Sequence, residues 1–244
     1  MKISIVTVVL NDAKGLARTI ESVTAQKISN VEHIVIDGGS TDSTMQVAAR
    51  FEKHLADVVS EQDNGIYDAM NKGVSRSTGK YICFLNAGDV FSSGTVLKVF
   101  NKYVEQNSNI DAVFYGDHRV LHAGRINNIR RSLPVERINY GMICCHQSMF
   151  FPKQALQPEG YSLNYGTAGD FELVARLYNR RVPFVRMRNF VVADYQAGGV
   201  SDVQRIPSLR NTMKALRELG MLSIGSYLYF KMAVARAFLV SLVK

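Results

Sequence analysis

The sequence predicts an α/β protein: a single domain with a mostly parallel sheet flanked by helices, carrying a C-terminal amphipathic helical tail. Three observations carry that expectation. β-branched runs alternate with stretches of helical spacing over the first hundred residues, polar and acidic residues recur just after each run, and the segment after residue 200 mixes apolar with basic side chains. Alternation of this kind builds crossovers that cover a parallel sheet on both faces.

In chain order, KISIVTVVL reads as a buried strand, and DAKGLARTIESVTAQ as a helix with Leu16, Ile20 and Val23 on one face. VEHIVID is a second strand. STDSTMQVAARF opens with capping residues and continues as a helix, with Ser40 as a further capping candidate. ADVVSE, GIYDAMNKGVSRS, KYICFLN and SGTVLKVFNKYVEQ repeat the alternation. Near residue 110 the pattern changes: DAVFYGDHRVLHAGRI reads as a hairpin, HQSMFF as a short strand, and GDFELVARLYNRR as a helix with Leu173, Leu177 and Tyr178 inward.

The 244 residues are 47% hydrophobic, which suits a folded globule and excludes disorder as the main state. Cys83, Cys144 and Cys145 are odd in number and lie in apolar stretches without ligand spacing, so they read as buried thiols in a reducing compartment. The first apolar run is too short for a secretory signal, which gives a cytoplasmic expectation. Twenty-nine basic residues against 21 acids leave +8. From Asp202 to Lys244 seven cations (Arg205, Arg210, Lys214, Arg217, Lys231, Arg236, Lys244) face two acids (Asp202, Glu218), and a second run, Arg119, Arg125, Arg130, Arg131 and Arg137, lies mid-chain. Such patches attract phosphate, whether of nucleic acid, anionic lipid or a diphosphate.

Open α/β sheets bind ligands at the carboxyl ends of their strands. Those ends hold Asn11 and Asp12, Asp37 to Ser40, Glu61 to Gly65, and Asn86 to Asp89, a bias toward acids that a basic chain does not need for turns alone. Neither GxGxxG after the first strand nor GxxxxGK[ST] occurs, so dinucleotide and P-loop sites are unsupported. Asp37 in DGGSTD would repel phosphate and better suits a base or ribose. A lone Asp89 suits Mg2+ or Mn2+ held jointly with a diphosphate.

SIVTVVLND, HIVIDGGSTDST, SEQDNGIYDAMNKGVSRSTGKYICFLNAGD and AGDFELVARL, in that order, resemble family 2 glycosyltransferases of the GT-A fold, most similarly the bacterial colanic-acid or exopolysaccharide type. The resemblance covers residues 1–200. It implies a nucleotide-binding half over 1–110 and an acceptor half over 111–200, with 201–244 as the tail. It implies an inverting transfer from a nucleotide-sugar to a lipid-linked or saccharide acceptor in surface polysaccharide biosynthesis, with a divalent metal. Asp170 matches the general base. Asp37 would meet the base of the donor, Asp63, Asp68 and Lys72 would shape its pocket, and Thr7, Val8, Asn11, Gly39 and Ser40 would complete the first two loops. Asn86 to Asp89 occupies the position of the DXD motif, with Asp89 the metal ligand. Two departures stand out: Asn86 and Gly88 replace acids, and Leu10 stands where the family often has Tyr.

His146 and Gln147 interrupt an apolar segment and, with Arg130 and Arg131, are candidate acceptor or diphosphate contacts; a core role for His146 stays open. Asp170 could instead be a helix N-terminal acid, with Glu172 the alternative base. His118 beside Asp117 is a candidate metal or phosphate contact, and His33 and His54 read as solvated or structural. Lys231 and Arg236 interrupt the apolar tail, which favours a helix lying on the inner membrane surface over one that spans it, with packing on its own domain or in a dimer as the alternative. An inactive nucleotide-sugar-binding module is the alternative function. A nucleic-acid-binding protein has no supporting motif, and no nucleic acid partner is expected.

Overall fold

The computed structural model describes residues 1–122, 125–198 and 204–242. Among the described residues nine strands form one sheet in the order β3-β2-β1-β4-β8-β6-β9-β5, with β7 paired to β6. The N-terminal half is parallel: β1 (Ile3–Val9) lies between β2 (Val31–Asp37) and β4 (Tyr81–Phe84), and β3 (Asp57–Ser60) flanks β2. All seven residues of β1 are buried, which explains why its sequence is continuous rather than alternating. Beyond β4 the sheet is mixed. β8 (Met149–Pro152) is antiparallel to both β4 and β6 (Val113–His122), while β9 (Phe184–Gln196) runs parallel to β6 and antiparallel to the short β5 (Val90–Phe91).

Helices cover both faces. On one, α3 (Ile66–Arg76) and α6 (Gly169–Asn179) pack Tyr67, Met70, Val74, Leu173 and Leu177 against Val6, Val8 and Phe84. On the other, α4 (Val96–Gln106) sets Leu97 and Phe100 against Ile3, Ile5 and Cys83. α1 (Ala13–Thr24) buries the expected Leu16, Ile20 and Val23, and Asp12 caps it by accepting from Gly15 N. α2 (Thr44–Arg50) opens without the Ser40 cap expected of it; the Asp42 carboxylate accepts from Thr44 N instead. After the one-turn α5 (Lys153–Leu156) and α6, the tail forms α7 (Arg205–Glu218) and α8 (Ile224–Leu242). Asp202 and Lys244, counted among the tail charges, lie outside the described residues.

The expected hairpin is present as β6 and β7 (Arg125–Arg130), antiparallel with a register shift near Val120. The sequence reading assigned nothing to β9. Asn189 has a left-handed φ of 56°, and the β6–β9 register shifts beside it, so the strand lacks the alternation that announces one.

At the end of the sheet away from the strand carboxyl ends, Glu32 is buried and accepts from Ser4 Oγ, Thr78 N and Oγ1, and Gly79 N, with Lys2 Nζ at 2.6 Å. Burial alone would raise its pKa, yet these partners hold the carboxyl down to about 2. The folded value lies below the unfolded one, so the stabilisation is present above pH 4.5 and is lost as pH falls toward 2. Allowing for the half-exposed Lys2, Glu32→Gln is expected to cost about 2 kcal/mol at pH 7 and roughly a quarter of that near pH 2.5. Urea unfolding at the two pH values measures this, and equal stability at pH 7 would contradict it.

Candidate active site

Three strand-end loops are knitted into one rim. Asp37, fully buried, accepts from Gly39 N, Ser40 N, Ser40 Oγ and Ser60 Oγ. Ser40 Oγ in turn accepts from Asn11 N, and Asn11 Oδ1 accepts from Thr41 N at 2.8 Å. Asp63 accepts from Gly65 N, and its other oxygen lies so close to Gly38 that a side chain there would collide with it. Lys72 pairs with Glu61 at 2.9 Å and donates to Gln62 O, while Asp68 accepts from Asn64 N.

At the end of β4, the NAGD loop is held from α1. Thr19 Oγ1 donates to Asp89 O at 2.7 Å and accepts from Gly88 N at 3.0 Å. Gly15 makes that approach possible, since an added Cβ would lie 2.8 Å from Gly88 N. Asp89 itself is 4% exposed; Oδ2 accepts from Gln147 Nε2 at 2.7 Å and Oδ1 from Gln196 N at 3.0 Å. Burial pushes its carboxyl up to about 6, against the pull of those two hydrogen bonds and of His146 and Arg18.

Across the sheet, Asp170 sits in the first turn of α6. Its Oδ1 accepts from Phe171 N at 2.8 Å and from Tyr67 Oη at 3.2 Å, which leaves Oδ2 facing His146 Nδ1 at 3.7 Å, beyond hydrogen-bond reach. Tyr67 stacks on Tyr161 and passes over Gly169, where any side chain would strike its ring. Burial, then the Asp170 charge, push the Tyr67 phenol far above its usual pKa, so it remains a hydrogen-bond donor. The consecutive residues His146 and Gln147 thus touch the two acids, one each. Among the described residues, the buried polar atoms here without a hydrogen-bond partner include Asn86 Oδ1, Gln147 Oε1, His146 Nε2, Tyr161 Oη and Thr167 Oγ1. Beside Asp170 opens a cavity of about 220 Å3 bounded by Tyr140, Met142, Thr167, Ser208, Tyr229 and Phe230.

Residues 4–158 match the family model described as Glycosyl transferase family 2. The chain belongs to that family. Over 206 residues it is 30% identical to a PGL/p-HBAD biosynthesis glycosyltransferase of Mycobacterium bovis, covering 82% of this chain and 78% of that one. An uncharacterised glycosyltransferase of Mycobacterium tuberculosis is 32% identical over 182 residues, 71% of this chain and 68% of its own. The fold matches Staphylococcus aureus TarS 1-349 in complex with UDP-GlcNAc at a TM-score of 0.73 and 15% identity, over 90% of this chain but 65% of the TarS one. A Pyrobaculum calidifontis mannosyltransferase in complex with GDP-Man and Mn2+ matches at 0.69 and 13% identity, over 89% of this chain and 63% of that one. The protein is a glycosyltransferase of the GT-A fold.

The predicted site residues of this glycosyltransferase lie in different surroundings. Thr7 and Val8 face the interior, where Thr7 Oγ1 lies 2.8 Å from His33 Nε2. Asp37 is fully buried with four donors on its carboxylate, and it holds the loop of Gly39 and Ser40 in place. Glu172 is buried and paired with Arg176 at 2.8 Å, which removes it as an alternative base. Arg131 is bound to buried Asp117 at 2.6 Å, and Arg130 lies exposed on β7 opposite His118; neither is tied to the Asp170 cluster. His118 is largely buried and pushed down to about 4 by that burial and by Arg130. Asn11, Asp63, Asp68, Lys72, Asn86, Asp89, His146, Gln147 and Asp170 all lie in the rim or the two-acid cluster. Sequence reasoning missed Tyr67, Thr19 and Gln196. Tyr67 had a signal in its place beside Asp68 in GIYDAM, whereas Thr19 is one polar residue on an ordinary helix.

Proposed function

We propose that the protein is an inverting glycosyltransferase that moves a sugar from a nucleoside-diphosphate sugar to a hydroxyl of a lipid-linked saccharide in surface polysaccharide biosynthesis. The observation that carries the reading is the state of Asp170: Oδ1 is held by Tyr67 and Phe171, while Oδ2, 3.7 Å from His146 Nδ1, carries no hydrogen bond among the described residues, and the side chain lines a cavity. A single positioned base suits one displacement. Asp170 Oδ2 takes the acceptor's hydroxyl proton, the hydroxyl oxygen forms its bond to the anomeric carbon, and the bond from that carbon to the diphosphate oxygen breaks with its electrons leaving on the diphosphate. Attack opposite the leaving group inverts the anomeric configuration.

Asn11, Ser40, Asp63, Asp68 and Lys72 rim the nucleotide side, with Asp37 holding their loop. The donor set suits a divalent cation only in part: Asp89 would supply one carboxylate, Asn86 Oδ1 is a buried oxygen without a partner, and no group of three or more His, Cys, Asp or Glu that could hold a metal ion occurs among the described residues. That set fits Mn2+ or Mg2+ completed by diphosphate oxygens. Held there, a cation would supply charge neutralisation of the departing diphosphate. The relatives in complex with UDP-GlcNAc and with GDP-Man and Mn2+ support the donor class and leave the base open. Three free cysteines accord with the cytoplasmic side of the membrane.

Asn86 and Gly88 in place of acids favour a second reading, a nucleotide-sugar-binding module without turnover. Proton NMR of the product anomeric coupling tests both. Inversion is expected; retention contradicts the single displacement, and donor binding without turnover selects the inactive module.

A further inference from the structure

Helix α8 presents two opposed faces. Ser226 and Phe230 are buried against the domain, and Ala233, Val234 and Ala237 continue that side partly buried. On the far side Ile224, Leu228, Met232 and Leu239 are 82, 55, 72 and 63% exposed. At about 100° per residue these four fall into one stripe. Scattered exposed apolar residues need no explanation, but a continuous row of them does. Lys231 and Arg236, both exposed, flank the stripe on its two sides by the same geometry, and no acid occurs from Leu219 to the end of the helix. Lys231 also rests over the Tyr227 ring at 5.5 Å. An apolar row between cations complements an anionic lipid surface and describes a helix lying in the interface. No helix among the described residues is long and apolar enough to cross a membrane.

The same helix walls the cavity beside Asp170. Phe230 closes it from the protein side, while Tyr229 and Tyr140, both partly exposed, meet edge to face at 5.6 Å on its rim. One residue from Phe230, Tyr229 projects from the flank of α8, between its buried face and its apolar stripe. That is the depth at which a ring with one apolar and one wet side belongs.

We propose that α8 lies in the surface of an anionic bilayer and that the Asp170 cavity opens at that surface, so the acceptor enters from the lipid side. The acceptor class is an amphiphile whose hydroxyl-bearing head reaches Asp170 past Tyr140 and Tyr229, while its apolar tail stays in the bilayer beside the α8 stripe. The entry route rests on the role proposed for Asp170; the bilayer contact of α8 does not.

The chain contains no tryptophan, so one introduced indole reports its own surroundings. Leu228→Trp and Tyr229→Trp are made separately in the full chain, with Tyr103→Trp on α4, which packs on the opposite face of the sheet, as the control. All three positions are at least partly exposed, and circular dichroism checks that each variant folds. Fluorescence is read with vesicles of phosphatidylcholine and one quarter phosphatidylglycerol, the phosphatidylcholine brominated high on its acyl chains. The expected result is at least twofold quenching in Leu228→Trp and Tyr229→Trp and none in Tyr103→Trp. Quenching should weaken in high salt and disappear when Leu228→Asp and Met232→Asp are added to Tyr229→Trp. Absence of quenching at both positions overturns the proposal, as does quenching at Leu228→Trp alone, which would put the cavity rim away from lipid. A dimer of the unmodified chain that Leu228→Asp and Met232→Asp dissociate would assign the stripe to a second copy and overturn it as well. Nucleoside diphosphate binding to the same variants without vesicles reports separately on the proposed function, so either reading can fail alone.

Discussion

Asp170→Asn is expected to lower transfer by roughly 10³-fold while leaving nucleoside diphosphate binding within about twofold, since a positioned base contributes 10² to 10⁴. The amide keeps the size of the carboxylate and can still accept from Tyr67 and Phe171 N through its oxygen, so the fold is preserved while the atom that takes the proton is lost. Tyr67→Phe belongs to the same experiment as a graded companion. It keeps the stack on Tyr161, at 5.3 Å between ring centroids, and removes only the hydroxyl that fixes Oδ1. A loss of roughly ten- to a hundredfold in turnover with unchanged nucleotide affinity is expected, the value of one hydrogen bond to a charged group. Single-turnover kinetics measures both. Full activity in Asp170→Asn would remove this residue from the chemistry.

Asp89→Ala is expected to do two things at once, because this side chain is both a tie and a ligand. Removing it leaves the Gln147 amide and the Gln196 N–H without a partner in a buried place. The cost is about 3 kcal/mol, a fall in Tm of roughly 6–12 °C in a chain of this size. The Mn2+-dependent part of donor binding is lost with it. Asp89→Asn separates the two effects. Its oxygen can accept from Gln196 N, and with the Gln147 amide turned over its nitrogen donates to Gln147 Oε1, which now lacks a partner. Stability near that of the unmodified chain, with metal enhancement still absent, is the expected pattern. Undiminished Mn2+ enhancement in both variants would exclude Asp89 as a ligand.

The strand-end loops were legible because several independent signals converge on them: a continuous apolar strand, a turn-forming cluster and an acid in each. The parallel order of β3, β2, β1 and β4 follows from the same alternation. What was not legible depends on contacts between distant segments. Asp37 reads as a ligand in DGGSTD, and only the fold reveals that Ser60, from β3, donates to the same carboxylate. Thr7 sits in a strand facing a histidine 26 positions away, so its burial depends on the β1–β2 register. Tyr67 and Asp170 are 103 residues apart, and nothing local to either announces the bond. The mixed second half resisted for a different reason: β9 is interrupted by a left-handed Asn189 and pairs in parallel with β6, whereas a reader of the sequence sees an antiparallel hairpin and stops there. The tail was legible as amphipathic, but not as the wall of a cavity, since that requires Phe230 and Asp170 to be neighbours.

The most direct test of the central claim is a thermal-shift series with UDP, GDP and TDP, each with and without Mn2+, and with CMP and Mn2+ alone as references. A ligand at about 100 times its Kd adds roughly 2.7 kcal/mol, a shift of several degrees here. One nucleoside diphosphate is expected to raise Tm, Mn2+ to enlarge the rise, and Mn2+ alone to do little, since the protein offers one carboxylate and the diphosphate must supply the remaining oxygens. If no nucleoside diphosphate moves Tm with or without the metal, the account of this site as a nucleotide-sugar transferase centre is contradicted.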